Sequence, residues 1–263
     1  MEYIRLGKTN LVVSRTALDT VSLARAVKSG ALSNDETAEL LHAAYEGEVN
    51  FFHFPSLESP SSKISSLFAS LRPTVYFAFG SDAKNGSDAR RDAERMLAFL
   101  QTDYLDLYQI RDPGFMPEPG GSDGLYDTVQ LLKDEGKIRH TGFITDNITR
   151  LKEAVCSPLY ETVQFPFNFL VSDDNLDCTD LCLENDTGFI ASRPLAGKRI
   201  ENIPLAFGFF RGKENVVPMW RIETKEALTQ ILYFEQNPPI VDEQFLKDLE
   251  EEKQRLLLNP END

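Results

Sequence analysis

Two short segments carry the side chains best suited to chemistry. Asn50-Phe51-Phe52-His53-Phe54-Pro55-Ser56-Leu57-Glu58-Ser59 places a histidine upstream of a glutamate, and Leu105-Asp106-Leu107-Tyr108-Gln109-Ile110-Arg111-Asp112-Pro113 ends in an arginine beside an aspartate. A histidine next to a carboxylate can act as a general base, and an arginine can clamp a substrate carboxylate through parallel N–H donors. The competing structural reading is that Arg111 pairs with Glu58 or Asp112 and fills the pocket between the segments. Further on, Pro194-Leu195-Ala196-Gly197 is followed by the cations Lys198 and Arg199. Of the three cysteines, Cys178 and Cys182 share a helical face. No histidine or further cysteine lies near them in sequence, so no metal site is assigned and inert, partly buried thiols are the plain reading.

Both segments must be strands ending on one rim if their side chains are to meet. The chain supplies such strands as a repeat of apolar run, turn and amphipathic helix, the pattern of parallel strands joined by crossover helices. A hairpin is predicted first, from residues 2–6 and 11–14 around Gly7-Lys8-Thr9-Asn10. Strands follow near 16–20, 49–53, 75–79, 104–110, 141–144, 162–165, 188–191 and 216–218. The capping box Ser33-Asn34-Asp35-Glu36 opens a helix to about Glu46, with Ala38, Leu41 and Tyr45 predicted on its buried face. Helices are also predicted near 63–70, at 88–100 with Ala93, Met96, Leu97 and Leu100 inward, at 125–135, from 148, at 176–184, at 225–234 and at 242–258. The interval between the last two strands is short for a helix plus a long loop. Phe207, Phe209, Phe210 and Trp220 read as aromatic core in preference to a subunit contact. With no linker or low-complexity tract, residues 1–263 read as one domain.

A chain of 263 residues can bury a substantial core, and a hydrophobic content of 41% fits a globular protein. Its net charge of −15 opposes a nucleic-acid backbone or an anionic membrane, both of which repel it at long range. No apolar run reaches the length of a membrane span and no leader pattern opens the chain, so a cytoplasmic location is the expectation.

Several motifs, in order, resemble the aldo-keto reductase family. The opening Met1-Glu2-Tyr3-Ile4-Arg5-Leu6-Gly7-Lys8-Thr9-Asn10-Leu11 is similar to the hairpin that plugs that family's barrel. Gln101-Thr102-Asp103-Tyr104-Leu105-Asp106-Leu107-Tyr108, Glu135-Gly136-Lys137-Ile138-Arg139-His140, Gln164-Phe165-Pro166-Phe167-Asn168 and Arg193-Pro194-Leu195-Ala196-Gly197 match further family stretches in the family's order. The resemblance implies an α/β fold: a (β/α)8 TIM barrel with an N-terminal β-hairpin plug and a C-terminal helix, its site at the C-terminal rim of the strands. It also implies hydride transfer from NADPH to a carbonyl, with a tyrosine as proton donor, a lysine lowering that tyrosine's pKa, an aspartate holding the lysine and a histidine orienting the substrate.

At those four positions the sequence has His53, Glu58, Gly80 and Arg111. Glu58 is ionised at neutral pH unless desolvated and Gly80 brings no charge, so no residue is assigned a catalytic role. For the cofactor, the resemblance points to Gln164, Asn168, Pro194, Leu195, Gly197 and Arg221, the last suited to a 2′-phosphate. The serine-asparagine pair that holds the nicotinamide amide reads Ile144 and Thr145, and the adenosine-side pair falls on Gln230 and Ile231. Asp19, in the first strand, places a carboxylate where it repels a dianionic cofactor. Three readings stay open: a binding or regulatory protein for an unknown small molecule or protein partner, with no cofactor; a non-redox enzyme using His53, Glu58 and Arg111; and an NADP-dependent reductase with substitute groups.

Overall fold

The computed structural model describes residues 1–54 and 62–258. Strands β1 (Tyr3–Arg5) and β2 (Val12–Ser14) form an antiparallel hairpin. The chain then runs β3 (Ala17–Asp19), α1 (Val21–Ser29), α2 (Asn34–Glu46), β4 (Phe51–Phe54), α3 (Ser62–Leu71), β5 (Tyr76–Ser81), α4 (Gly86–Leu100) and β6 (Leu105–Arg111). It continues through α5 (Leu125–Asp134), β7 (Ile138–Ile144), α6 (Ile148–Cys156), β8 (Thr162–Pro166), α7 (Asp173–Leu176), α8 (Cys178–Glu184) and β9 (Gly188–Ser192). Last come α9 (Ile203–Arg211), β10 (Val216–Arg221), α10 (Lys225–Gln236) and α11 (Glu243–Leu258).

Strands β3 to β10 close into a parallel barrel of eight, with β10 beside β3. Its strands are buried on both faces, as parallel strands covered by helices must be. Outside them, Phe52, Phe54, Phe68 and Phe77 meet edge-on, with ring centroids 4.9–5.9 Å apart, and lock α3 against β4 and β5. Inside, a separate apolar cluster of Ala17, Phe51, Ala78, Leu107, Ile190 and Val217 fills the lower half and is sealed by Leu6, Leu11 and Val13 of the hairpin. The expected plug is therefore present, and the barrel has an apolar floor.

The expected strands are all found, with changes at their ends. The strand expected at 141–144 begins at Ile138, because Gly136 (φ +73°) turns the chain and Lys137 accepts from the Leu105 amide at 2.9 Å. Helix α1 was not expected: its cap residue Thr20 makes no side-chain capping bond, so the usual start signal is missing. The capping box at Ser33 and Glu36 is formed, but α2 buries Thr37, Leu40, Leu41 and Ala44, leaving Ala38 and Tyr45 half-buried. The helix expected at 176–184 is divided, with Asp177 between α7 and α8. Between β9 and β10 the short interval does hold a helix, α9, started by Pro204 in its first turn and capped by Asn202 Oδ1. Phe207 stacks on Trp220 at 4.5 Å, and Phe207, Phe210 and Trp220 are buried, as a core reading requires.

Gly7 fixes the plug to the barrel floor. Its φ of +52° lies in the left-handed region, and a Cβ there meets the Gly188 nitrogen at 2.2 Å and the Asp186 carbonyl oxygen at 2.6 Å. Those are backbone atoms and cannot give way. The neighbouring Lys8 amide donates to Asp186, and Arg5 grips the Asp186 carboxylate with two nitrogens. Gly7→Ala is therefore expected to lower unfolding free energy by about 1–3 kcal/mol, measured by urea denaturation, whereas Gly212→Ala, with nothing near its Cβ, leaves the midpoint almost unchanged.

Candidate active site

The strand register sets the rim. Asp19 lies opposite His53 on one side and Arg221 on the other, and Arg111 lies opposite Ile144, which in turn neighbours Gln164. Asp19 is almost fully buried, and three groups answer its charge. His53 Nδ1 is 3.4 Å from Oδ1, the Val21 amide donates to Oδ1 at 3.2 Å, and Arg221 Nε donates to Oδ2 at 3.1 Å. Burial pushes the Asp19 carboxyl up, but the hydrogen bond and charge of His53, the Arg221 guanidinium and the Val21 amide outweigh it and hold the group below its ordinary range.

An ionised carboxylate only accepts, so the hydrogen bond to Asp19 places a proton on His53 Nδ1. Nε2 is buried and has no hydrogen-bond partner among the described residues. Gly80 makes room for it: a Cβ on Gly80 stands 2.8 Å from Ile144 Cδ1, 3.3 Å from His53 Nε2 and 3.7 Å from Arg111 Nη2. The space above residue 80 is thus shared by a histidine, an isoleucine and an arginine.

Arg111 does not pair with Asp112, the one expected partner within the described residues. Its Nε donates to Asp82 Oδ1 at 2.8 Å, on the loop after the adjoining β5, while Asp112 accepts from Thr145 Oγ1 and the Gly114 amide. Glu58 lies outside the described residues. Arg193, absent from the sequence-derived set, donates to Asp146 Oδ2 at 2.9 Å. The only local hint was the neighbouring Pro-Leu-Ala-Gly turn, which holds Arg193 at φ +53°.

These groups enclose a rim cavity of about 70 Å³, lined by Asp19, His53, Arg111, Ile144, Asp146, Gln164, Ser192, Arg193, Met219 and Arg221. Beside it a second cavity of about 300 Å³ is walled by Pro194, Leu195, Gly197, Lys198, Trp220 and Thr224 and shares Arg193 and Arg221 with the first. Four residues expected at a cofactor, Pro194, Leu195, Gly197 and Arg221, therefore come together, and Gln164 lies in the smaller cavity. Asn168 lines neither; it donates to the Arg193 carbonyl and accepts from the Leu170 amide, holding the loop after β8. Ile231 is core and Gln230 is exposed on α10, so Glu223, Thr224 and Ala227 stand in that wall instead. Cys178 and Cys182 are buried away from the rim, and burial pushes the Cys178 thiol up to about 12.

The family model described as "Aldo/keto reductase family" matches residues 77–215, more than half of the chain. The chain belongs to the aldo/keto reductase family. Among curated proteins it is 31% identical over 110 residues to YcsN, an uncharacterized oxidoreductase of Bacillus subtilis, a match that spans 41% of this chain and 36% of that protein. Solved aldo-keto reductases share the fold. An aldo-keto reductase from Bacillus halodurans in its holo form superposes with a TM-score of 0.78 at 15% identity over 95% of this chain and 96% of its own. A putative aldo-keto reductase from Pseudomonas aeruginosa gives 0.75 at 18% identity over 88% and 91%. No described helix is long and apolar enough to cross a membrane.

In this member of the aldo/keto reductase family the Asp19 carboxylate joins the first barrel strand to β4 and to the last strand. Asp19→Asn leaves Arg221 without its counter-charge and weakens the acceptor for His53 Nδ1, and is expected to cost about 3 kcal/mol or more. Because the folded carboxyl lies below its ordinary 3.8, its stabilisation is complete above that pH and fades as pH falls through the lower folded value. Unfolding curves across that acid range should therefore converge for Asp19→Asn and the parent, and differ most near neutrality.

Proposed function

We propose that this aldo/keto reductase has given up carbonyl reduction and serves as a binding or regulatory protein for a small molecule. One observation carries the reading: no tyrosine or lysine stands among the described residues lining the rim cavity, and the space above Gly80 is taken by His53, Ile144 and Arg111. Reduction of a carbonyl needs a proton donor that ionises above neutrality beside a cation, placed where the alkoxide forms. The buried Tyr108 and Tyr160 do not serve, since they belong to the outer core and burial drives both hydroxyls upward. Glu58, an acceptor when ionised, is the residue that the family motif aligns with the tyrosine.

The family's NADP meets a divided site. On the phosphate side, Arg193, Lys198 and Arg221 border the cavity of about 300 Å³, and Gly197 (φ +72°) leaves open space where a side chain would stand. On the nicotinamide side the cavity is only about 70 Å³, far below the roughly 300–1,000 Å³ of sites that enclose an organic ligand. Gln164 already accepts from Gln109 Nε2 there, at 3.2 Å. The residues thus suit a nucleotide phosphate and do not suit a reactive nicotinamide, and no hydride step is derived. Retained nucleotide binding without turnover is a second reading, favoured by the larger cavity alone.

Two measurements separate these readings. Purified protein incubated with NADPH and a panel of aldehydes and ketones should consume the nucleotide no faster than buffer; sustained consumption dependent on the carbonyl compound overturns the proposal. NADP⁺ raising the unfolding temperature of the parent, and raising it less for Arg221→Ala, supports nucleotide binding without turnover. An unchanged temperature leaves the larger cavity to another ligand.

A further inference from the structure

The larger cavity beside the rim, at about 300 Å³, has the size at which pockets begin to enclose an organic molecule. Pro194, Leu195, Trp220 and Ala227 give it an apolar wall. The Trp220 ring is fixed there by Phe207, stacked at 4.5 Å, and by Phe210, edge-on at 6.1 Å.

The charged groups of that wall are already matched. Arg193 pairs with Asp146 at 2.9 Å, Lys198 with Glu223 at 3.0 Å and Arg221 with Asp19 at 3.1 Å, so these three cations meet three carboxylates. The turn after Arg193 also uses its amides internally. Ala196 donates to the Arg193 carbonyl, Lys198 and Ile200 donate to that of Leu195, and Arg199 donates to that of Ala196. A nucleotide phosphate could use these groups only by displacing the partners that now hold them, and a buried anion left without such contacts is costly. A neutral molecule disturbs none of them and gains from the apolar area it covers.

We infer that this cavity takes a neutral, largely apolar small molecule, seated against Trp220 between the Pro194–Leu195 turn and Ala227 of α10. The assignment rests on the reading of the protein as a small-molecule binding protein and names the class of ligand. No bond is made or broken.

Trp220 is the single tryptophan of the chain, so its emission reports on this wall. N-phenylnaphthylamine and anilinonaphthalene sulfonate carry the same rings without and with a sulfonate. Each is titrated into the full chain without nucleotide, and quenching of Trp220 emission is followed. The neutral dye should saturate at one site per chain with a Kd on the order of micromolar, and the sulfonate should bind at least about tenfold more weakly. Ala227→Phe, which brings a ring into the cavity from a partly buried helix position, should weaken the neutral dye at least about tenfold. Leu195→Asp, which brings a carboxylate to the opposite wall, should do the same, so the test survives if one variant misfolds. Ile240→Ser removes an apolar side chain that is 81% exposed and lines no part of this cavity, and should leave the affinity unchanged. Binding of the sulfonate as tight as that of the neutral dye, no saturable quenching by either, or quenching lost in Ile240→Ser but kept in Ala227→Phe overturns the inference. Failure of the neutral dye leaves the loss of reduction standing, whereas carbonyl-dependent NADPH consumption would defeat that loss without touching the dye result.

Discussion

A carboxylate removed from water must find its counter-charges within the protein, and at the rim of this barrel Asp19 finds them on three different elements. The Val21 amide comes from the start of α1, His53 from β4 and Arg221 from β10. Since β3 is the first barrel strand and β10 the last, the same carboxylate spans the seam where the sheet closes on itself. The pairing also decides the chemistry of the rim, because it orients the imidazole and leaves one of its nitrogens turned inward. Closure of the fold and the character of the site thus depend on one ionised group.

Below that group the interior changes polarity in steps. The floor is apolar, closed by the hairpin leucines against Phe51, Leu107 and Val217. A layer of glutamines follows, Gln109 and Gln164 bonded to one another at 3.2 Å. Gly142 permits this layer, since a Cβ there meets Thr162 Oγ1 at 2.3 Å and Gln109 Cγ at 2.9 Å. Asp19, His53 and the arginines gather at the top. The arginines of the charged layer reach solvent at the rim, while the packed half supplies the hydrophobic stabilisation.

How much of this was legible in the chain depended on how local each signal was. The hairpin turn at Gly7, the capping box at Ser33 and the apolar spacing of Ala93, Met96, Leu97 and Leu100 act over a few residues, and each appears as read. Helix α1 lacks a side-chain cap, and the break at Asp177 leaves no proline or glycine to announce it. The ion pairs were hidden for a different reason. Asp19 taken alone is a repulsive charge, but its partners lie 34 and 202 residues away along the chain and are brought close only by strand register. Likewise Arg111 selects Asp82 on the neighbouring strand's loop over Asp112 beside it in sequence, because a side chain at a strand end faces across the sheet.

His53, Gly80 and Arg111 are coupled by space. With a Cβ at residue 80 only 3.3 Å from His53 Nε2, any longer side chain there must enter the volume now shared by the imidazole, Ile144 and the guanidinium. A lysine at 80 would also set its ammonium against Arg111, a like-charge pair near a low-dielectric wall. Conversely, a smaller residue at 53 would strip Asp19 of one of its three donors and leave a buried carboxylate under-compensated. The glycine, the histidine and the buried aspartate therefore form one mutually dependent arrangement. A lysine placed at position 80 alone would overfill the cavity, and a smaller residue at 53 alone would leave Asp19 short of a donor.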